Sequence, residues 1–275
     1  MNFEYAPNRN RSLELQVLVS AMHQSDFKLV EKMNIKSDAI VINQCNTNRI
    51  EEFAKDSKYL IKFISLSERG VGLSRNTALM RASADICVIA DEDLTYVDNY
   101  KDIILGAFEE NSNADMIMFN VPSNNLKRPT YKILKNERVR WYNCLRYGAV
   151  KIAIRTDRLK EANVYFSLLF GGGARYSHGE DSLFVANCIR KGLKVYTNTS
   201  IIGYVSQESS SWFNGYDDKF FIDKGALYYS ITKKFAWLLS LQFCIRHKKM
   251  FSKDRKWITA YKLMLTGIEG IKNNK

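Results

Sequence analysis

Four short apolar runs, separated by helical segments, are the feature that most constrains the fold of this chain. They cover residues 13–20, 39–42, 60–64 and 86–90, and helical patterns occupy 74–82 and 96–110. Alternation of strand and helix is typical of parallel sheets, because parallel strands need crossover connections, and these are nearly always right-handed. We therefore predict an α/β fold with a doubly wound, mostly parallel sheet flanked by helices.

An acidic triplet, Asp91-Glu92-Asp93, follows directly on the fourth apolar run. The carboxyl ends of the strands in such sheets open into the crevice that binds ligands. Carboxylates one residue apart can hold Mg²⁺ or Mn²⁺ and leave the other positions for water and phosphate oxygens. A solvated turn that closes the strand has a similar composition, because acids are favoured in turns.

Length and composition indicate a globular cytosolic protein. The 275 residues, 46% of them hydrophobic, can bury the core of one α/β domain with an appendage. We find no run of the ~20 apolar residues that a membrane span needs, and residues 1–9 lack the apolar core of a signal peptide. The five scattered cysteines form no Cys-x-x-Cys pair, so we expect reduced packing residues and no zinc site.

The positive charge is concentrated in the C-terminal region. From Lys219 to Lys275 there are 13 Lys or Arg residues against three acids, and the pattern is helical and aromatic. Such helices can lie on an anionic membrane surface, but helices that cover a sheet look the same in sequence. We predict a helical basic appendage at 216–275, with membrane binding, packing on the core and a merely solvated basic face all left open.

Five segments occur in a characteristic order, and together they resemble the family 2 glycosyltransferases of the GT-A fold. The similarity spans residues 13–212 and rests on these segments: Val19-Ser20-Ala21, Ile42-Asn43-Gln44-Cys45-Asn46, Gly70-Val71-Gly72-Leu73-Ser74-Arg75-Asn76, Asp91-Glu92-Asp93 and Gly179-Glu180-Asp181. The resemblance implies a nucleotide-diphosphate sugar donor, Mn²⁺ or Mg²⁺, and inverting transfer, hexosyl transfer being favoured, to a hydroxyl of a glycan or lipid-linked acceptor. It favours bacterial surface-polysaccharide synthesis, with the protein at the inner membrane face. The glycosyltransferase domain would cover 1–215, with a nucleotide-binding half at about 11–115 and an acceptor half at about 116–215.

The resemblance also suggests roles for the acidic residues. A metal held by Asp93, with Asp91 acting through water or the ribose, would stabilise the departing diphosphate. Asp181 is the predicted general base that takes the proton of the attacking hydroxyl. Neighbouring side chains at a helix start point about 100° apart, so only one of Glu180 and Asp181 is expected to face the crevice. Helix capping is the alternative role for Asp181.

The remaining predicted contacts are with the donor and the acceptor. The donor set comprises Ser20, Asn43, Gln44, Arg75, Asp91 and Glu92. Asn43-Gln44 replaces the acidic pair usual in the family, so uridine stays the favoured nucleoside while other bases remain open. Glu180, Gln207 and Trp212 are the weaker acceptor candidates, and Trp212 could equally be a packed side chain.

Two rival functions fit the sequence less well. A sugar nucleotidyltransferase needs a glycine-rich basic loop after the first strand, and residues 20–26 contain none. A nucleic-acid-binding module could use the basic C-terminal region, but both acidic motifs would then have no role. We expect no nucleic acid partner.

Overall fold

The computed structural model describes residues 12–207 and 215–273. A main sheet and a two-stranded sheet form its β structure. The main-sheet strands are β1 (Leu15–Met22), β2 (Asp38–Gln44), β3 (Arg49–Lys55), β4 (Tyr59–Leu66), β5 (Ile86–Asp91), β7 (Met116–Asn120), β8 (Ile152–Arg155) and β9 (Val195–Ile201). The small sheet pairs β6 (Leu94–Tyr96) with β10 (Gly203–Val205).

The main sheet has the strand order β3-β4-β2-β1-β5-β8-β7-β9. Its central strands β4, β2, β1 and β5 are parallel, as predicted from the alternation of strands and helices. Two antiparallel strands were not predicted as such. β3 was missed because it is a polar, largely exposed edge strand, and β8 runs antiparallel to both β5 and β7.

Nine α-helices are present in the described ranges. They are α1 (Leu29–Lys32), α2 (Val71–Arg81), α3 (Tyr100–Glu110), α4 (Thr156–Ala162), α5 (Glu180–Arg190), α6 (Asp218–Ile231), α7 (Ala236–Arg246), α8 (Lys248–Phe251) and α9 (Trp257–Asn273). None of them is long and apolar enough to cross a bilayer.

Alternate residues of the central strands supply two apolar cores, one on each face of the sheet. Val17 and Val19 of β1 belong to the core that includes α3, whereas Leu18 belongs to the core that includes α2 and α5. This division follows from the alternation of side chains along a strand. The helices therefore cover both faces, and the carboxyl ends of the parallel strands stay open along one edge.

The C-terminal helices pack against the rest of the protein. α6 and α9 cross at Gly225 and Gly267, where an added Cβ would overlap the backbone of the other helix. Their apolar side chains share a third core cluster with Phe170, Tyr176 and Leu183. The region at 216–275 thus contacts the segment that leads into α5, while the domain boundaries at 115 and 215 stay predictions.

The cysteines behave as packing residues. All five are free thiols, and all but Cys45 are buried.

Candidate functional site

The predicted donor residues meet at the carboxyl edge of the parallel strands. Ser20 of β1 lies opposite Asp91 of β5, and Ala21 lies opposite Asn43 of β2. Parallel pairing in this register places the ends of three strands side by side. The crevice expected from the sequence is therefore built from the predicted segments.

Arg75 connects the two acidic motifs. Its side chain is only 4% exposed, and Nη2 donates to both carboxylate oxygens of Asp91, at 2.9 and 3.1 Å. Its Nη1 donates to Glu180 Oε1 at 2.9 Å. Burial alone would lower the pKa of Arg75, but the two carboxylates outweigh it and the pKa is raised. Asp91 and Glu180, distant in sequence, are thereby fixed on opposite sides of one guanidinium.

Asp93 lies beside this ion network and contacts the chain after β10. Its Oδ2 accepts a hydrogen bond from Gln207 N at 3.3 Å, and its backbone oxygen accepts one from Ser206 N at 3.1 Å. Burial and the neighbouring charges of Asp91 and Glu92 raise the pKa of Asp93. Accumulated negative charge of this kind favours a bound cation.

A metal would need donors from outside the protein at this position. The described residues contain no group of three or more His, Cys, Asp or Glu side chains arranged around one point. Mg²⁺ is commonly held by one or two carboxylates together with water and substrate phosphates. The Asp93 carboxylate fits that kind of site, while Asp91 is already bound by Arg75.

Several residues predicted to bind the nucleotide-sugar donor form hydrogen bonds with neighbouring loops. Asn43, 1% exposed, accepts from Gln24 N and donates to Gln24 O, both at 2.9 Å. Gln44 Oε1 accepts from Gly70 N at 2.8 Å, immediately before α2. These contacts position the loop after β1 and the start of α2, and the predicted uracil contacts of Asn43 and Gln44 remain untested.

Glu92 and Ser20 are also tied to neighbouring segments. Glu92 Oε2 accepts from Met22 N at 3.1 Å and from Gln24 Nε2 at 2.7 Å. Ser20 Oγ accepts from Ser74 Oγ at 2.9 Å. Both residues lie at the crevice, and their donor-binding roles stay predictions.

Asp181 and Glu180 open α5 with different partners, as the expected 100° separation requires. Glu180 forms a salt bridge with Arg75, whereas Asp181 Oδ1 accepts a hydrogen bond from Ser182 N at 2.6 Å. The other carboxylate oxygen of Asp181 has no hydrogen-bond partner among the described residues. Burial, and then the charge of Glu180, raises the pKa of Asp181 to about 7 against the opposing effects of Ser182 N, Arg75 and Lys224. A carboxyl group with this pKa can accept a proton near neutral pH.

The acceptor candidates are only partly described. Gln207 has a positive φ of 48°, its side-chain oxygen accepts from Ser123 Oγ at 3.3 Å, and its backbone NH contacts Asp93. Trp212 lies outside the described residues. Lys224 on α6 was not predicted as a site residue, although its spacing from Phe220 and Tyr228 in the aromatic run was visible in the sequence.

Comparisons with known proteins agree with the resemblance. The model of glycosyl transferase family 2 matches residues 9–164. The crystal structure of S. aureus TarS 1-349 superposes with a TM-score of 0.63 and 15% identity, over 94% of this chain and 83% of that chain. The same fragment in complex with UDP-GlcNAc gives a TM-score of 0.65 and 15% identity, over 94% and 84%. A search of curated proteins finds no match.

These comparisons settle the family and the architecture. The family model covers more than half of the chain, including the segments that contain Ser20, Arg75 and Asp93. The superposition confirms the mostly parallel α/β sheet predicted from the strand pattern and the GT-A fold that the resemblance implies. The chain belongs to glycosyl transferase family 2.

Proposed function

We propose that this glycosyltransferase moves a sugar, a hexosyl group being favoured, from a nucleotide-diphosphate sugar to an acceptor hydroxyl with inversion at the anomeric carbon. The observation that carries the proposal is the Arg75 bridge, which holds the Asp91 carboxylate and the start of α5 on one guanidinium. The proposed metal ligand Asp93 and the proposed general base Asp181 directly follow the two bridged segments in the sequence, Asp93 two residues after Asp91 and Asp181 next to Glu180. A UDP-sugar is the favoured donor, and the fold similarity to TarS in complex with UDP-GlcNAc supports it.

Asp181 is the proposed general base. It takes the proton from the acceptor hydroxyl while that oxygen attacks the anomeric carbon, and the bond from this carbon to the diphosphate oxygen breaks with its electron pair leaving on the diphosphate. Single displacement from the face opposite the leaving group inverts the configuration. The raised pKa of Asp181 supports this role, because a carboxylate of ordinary pKa is a weaker base.

Asp93 is the proposed protein ligand of Mn²⁺ or Mg²⁺, with Asp91 contributing through water or the ribose. When bound, the cation would neutralise charge that develops on the leaving diphosphate. Asp93 has the raised pKa expected of a carboxylate in a negatively charged, partly buried position. Around the proposed cation, Arg75 donates to the Asp91 carboxylate, and Glu92 accepts a hydrogen bond from Met22 N in the segment that ends β1.

The acceptor is proposed to be a glycan or a lipid-linked sugar of a bacterial surface polysaccharide, reached from a membrane surface. The support is an exposed apolar stripe on α7 formed by Trp237, Leu238 and Ile245. Basic residues flank this stripe: Lys233, Lys234, Arg246, Lys248 and Lys249. A helix with exposed aromatic and basic side chains can lie in the headgroup region of an anionic bilayer.

Incubating the purified protein with individual nucleotide sugars and Mn²⁺ tests the reaction. We expect nucleotide-diphosphate release from one donor class, UDP-sugars first, and a higher thermal midpoint with that donor and metal, because ligand binding to the folded state stabilises it. An Asp93→Asn variant should lose the metal dependence of both effects. Absence of release from every donor, even with mixtures of acceptors, would overturn the proposal.

A further inference from the structure

Lys224 lies on the part of α6 that packs against residues 177–179, the segment that leads into Asp181. The preceding residue, Asp223, is 2% exposed and accepts hydrogen bonds from Ser177 N at 2.8 Å and Ser177 Oγ at 2.6 Å. One turn further on, Leu227 packs so closely on Gly179 that an added Cβ there would overlap it. These two contacts, on either side of Lys224, fix its position relative to Gly179, Glu180 and Asp181.

The ammonium group of Lys224 is surrounded by aromatic rings. Its Nζ lies 5.5 Å from the ring centroid of Phe243, 5.8 Å from that of Tyr228 and 6.0 Å from that of Phe220. Ring faces attract a cation and at the same time exclude water from it. Burial lowers the pKa of Lys224, and the charge of Asp181 opposes that effect. Asp181 is thus the anion that stabilises the charged form of this lysine.

Other charged groups near Asp181 are already engaged. Arg75 donates to Asp91 and Glu180, and Glu180 adds negative charge beside Asp181. Lys224 forms no salt bridge with any residue of the described ranges, Asp181 included, so its charge acts on Asp181 over more than 4.0 Å. Lys224 is therefore a second cation that acts on Asp181, in addition to Arg75, and it is not paired with another carboxylate of the described residues.

The other titratable groups around Lys224 neither supply a positive charge in its place nor pair with it. Burial, followed by the charge of Lys224, lowers the pKa of His178 to about 4, and the pKa of His247 is lowered by burial, Arg246 and Lys224. Both imidazoles are therefore neutral near pH 7. Asp223 is paired with Lys219 at 2.7 Å, so it does not compete for Lys224.

We propose that Lys224 is a positioning residue for the general base: its ammonium group, carried by α6, acts together with Arg75 to stabilise the ionised form of the Asp181 carboxylate. This inference rests on the proposed function, in which Asp181 is the base. It makes the C-terminal helices part of the active site as well as a covering layer. The lysine acts by keeping Asp181 ionised when the acceptor hydroxyl arrives.

The pH dependence of kcat/KM tests this role. We expect Lys224→Met to move the acidic limb of the profile upward by about one pH unit, because an opposite charge nearby normally lowers a carboxyl pKa by that order. Lys224→Arg should restore the limb, and the donor KM should stay within about twofold of the original value. Lys262→Met, which removes an exposed lysine on α9, is the matched control and should leave the profile unchanged. Coincident profiles for Lys224→Met and the unmodified protein would overturn the inference while leaving the proposed transferase reaction intact.

A second measurement does not depend on turnover. The folded-state pKa of Asp181 is raised from ~3.9, so its contribution to stability is full at low pH and is lost as the pH rises toward 7. The difference in thermal midpoint between proteins with Asp181 and with Asp181→Asn reports this titration. In the Lys224→Met background, the stability contribution of Asp181 should be lost at a higher pH. If it is lost at the same pH with and without Lys224, the proposed role of Lys224 is contradicted, and this result needs no sugar donor. Lys224→Gln provides the same comparison if Lys224→Met fails to fold.

Discussion

At the scale of single residues, Arg75 decides the geometry of the site. A guanidinium can bind two carboxylates in a fixed plane, which an ammonium group cannot do. Arg75 uses this property on Asp91 and Glu180, which are 16 and 105 residues away in sequence. The acidic triplet and the start of α5 therefore depend on one another through a single buried side chain.

Removing that side chain leaves two carboxylates without their partner. We expect Arg75→Met to lower the free energy of unfolding by about 3 kcal/mol, the lower end of the range for broken buried ion pairs, because Asp91 is 36% exposed. Denaturant unfolding measures this, with Arg81→Met on the exposed face of α2 as the matched control, expected within about 0.5 kcal/mol of the unmodified protein. Equal destabilisation by the two substitutions would show that the Arg75 network contributes no stability of its own.

The sequence predicted where the candidate residues lie better than it predicted which residues they contact. Ser20, Asn43, Gln44 and Asp91 were located correctly at the strand ends, because apolar runs reveal where strands stop. The contact of Arg75 with Glu180 was not predicted, since it depends on how α5 packs against α2. Sequence spacing carries no information about such a long-range contact.

At the scale of elements, the sequence predicted the existence of most helices and strands but not their exact boundaries. α2 was predicted to start at residue 74 but starts at Val71, and α3 was predicted to start at 96 but starts at Tyr100. The strands β2, β4 and β5 extend past their apolar runs because pairing with neighbours continues into polar residues. The edge strand β3 was missed because its exposed polar residues lack the apolar run by which buried strands were recognised.

The amphipathic pattern of α7 has two components that the structure separates. Phe243 faces Lys224 and the third core cluster, whereas Trp237, Leu238 and Ile245 are about half exposed. Packing on the core thus accounts for one face of α7 and leaves the other for the proposed membrane contact. The sequence alone contains both signals and does not assign them to different faces.

The exposed face of α7 should bind anionic bilayers. We expect the protein to float with vesicles that contain phosphatidylserine or phosphatidylglycerol at low salt, and to be released by high salt, because the flanking lysines are screened. Trp237→Gln should weaken flotation several-fold, since it removes an interfacial aromatic ring. Met80→Gln, which replaces an exposed apolar side chain on α2, is the control and should have no effect. Absence of flotation with anionic vesicles at low salt would remove the basis for the membrane proposal.

At the scale of the whole molecule, the candidate site combines segments that are far apart in the sequence. The parallel strands bring Ser20, Asn43 and Asp91 to one edge, and α5 brings Asp181 to the same crevice through Arg75. The C-terminal helices close the other side of the Asp181 turn through Asp223 and Leu227. We therefore propose that the strand ends bind the sugar donor and that α5, with the C-terminal helices, positions the general base for the acceptor. The ion pairs of Arg75 connect the two parts.

The most direct test of the account is the rate of nucleotide-diphosphate release by Asp181→Asn, measured with saturating donor, Mn²⁺ and acceptor. The account predicts a fall of about 10³-fold, within the usual contribution of a general base, with donor affinity within about twofold of the unmodified protein. Donor affinity measured on the same sample separates lost catalysis from lost folding. Release at the unmodified rate by Asp181→Asn would show that Asp181 is not the base and would contradict the account.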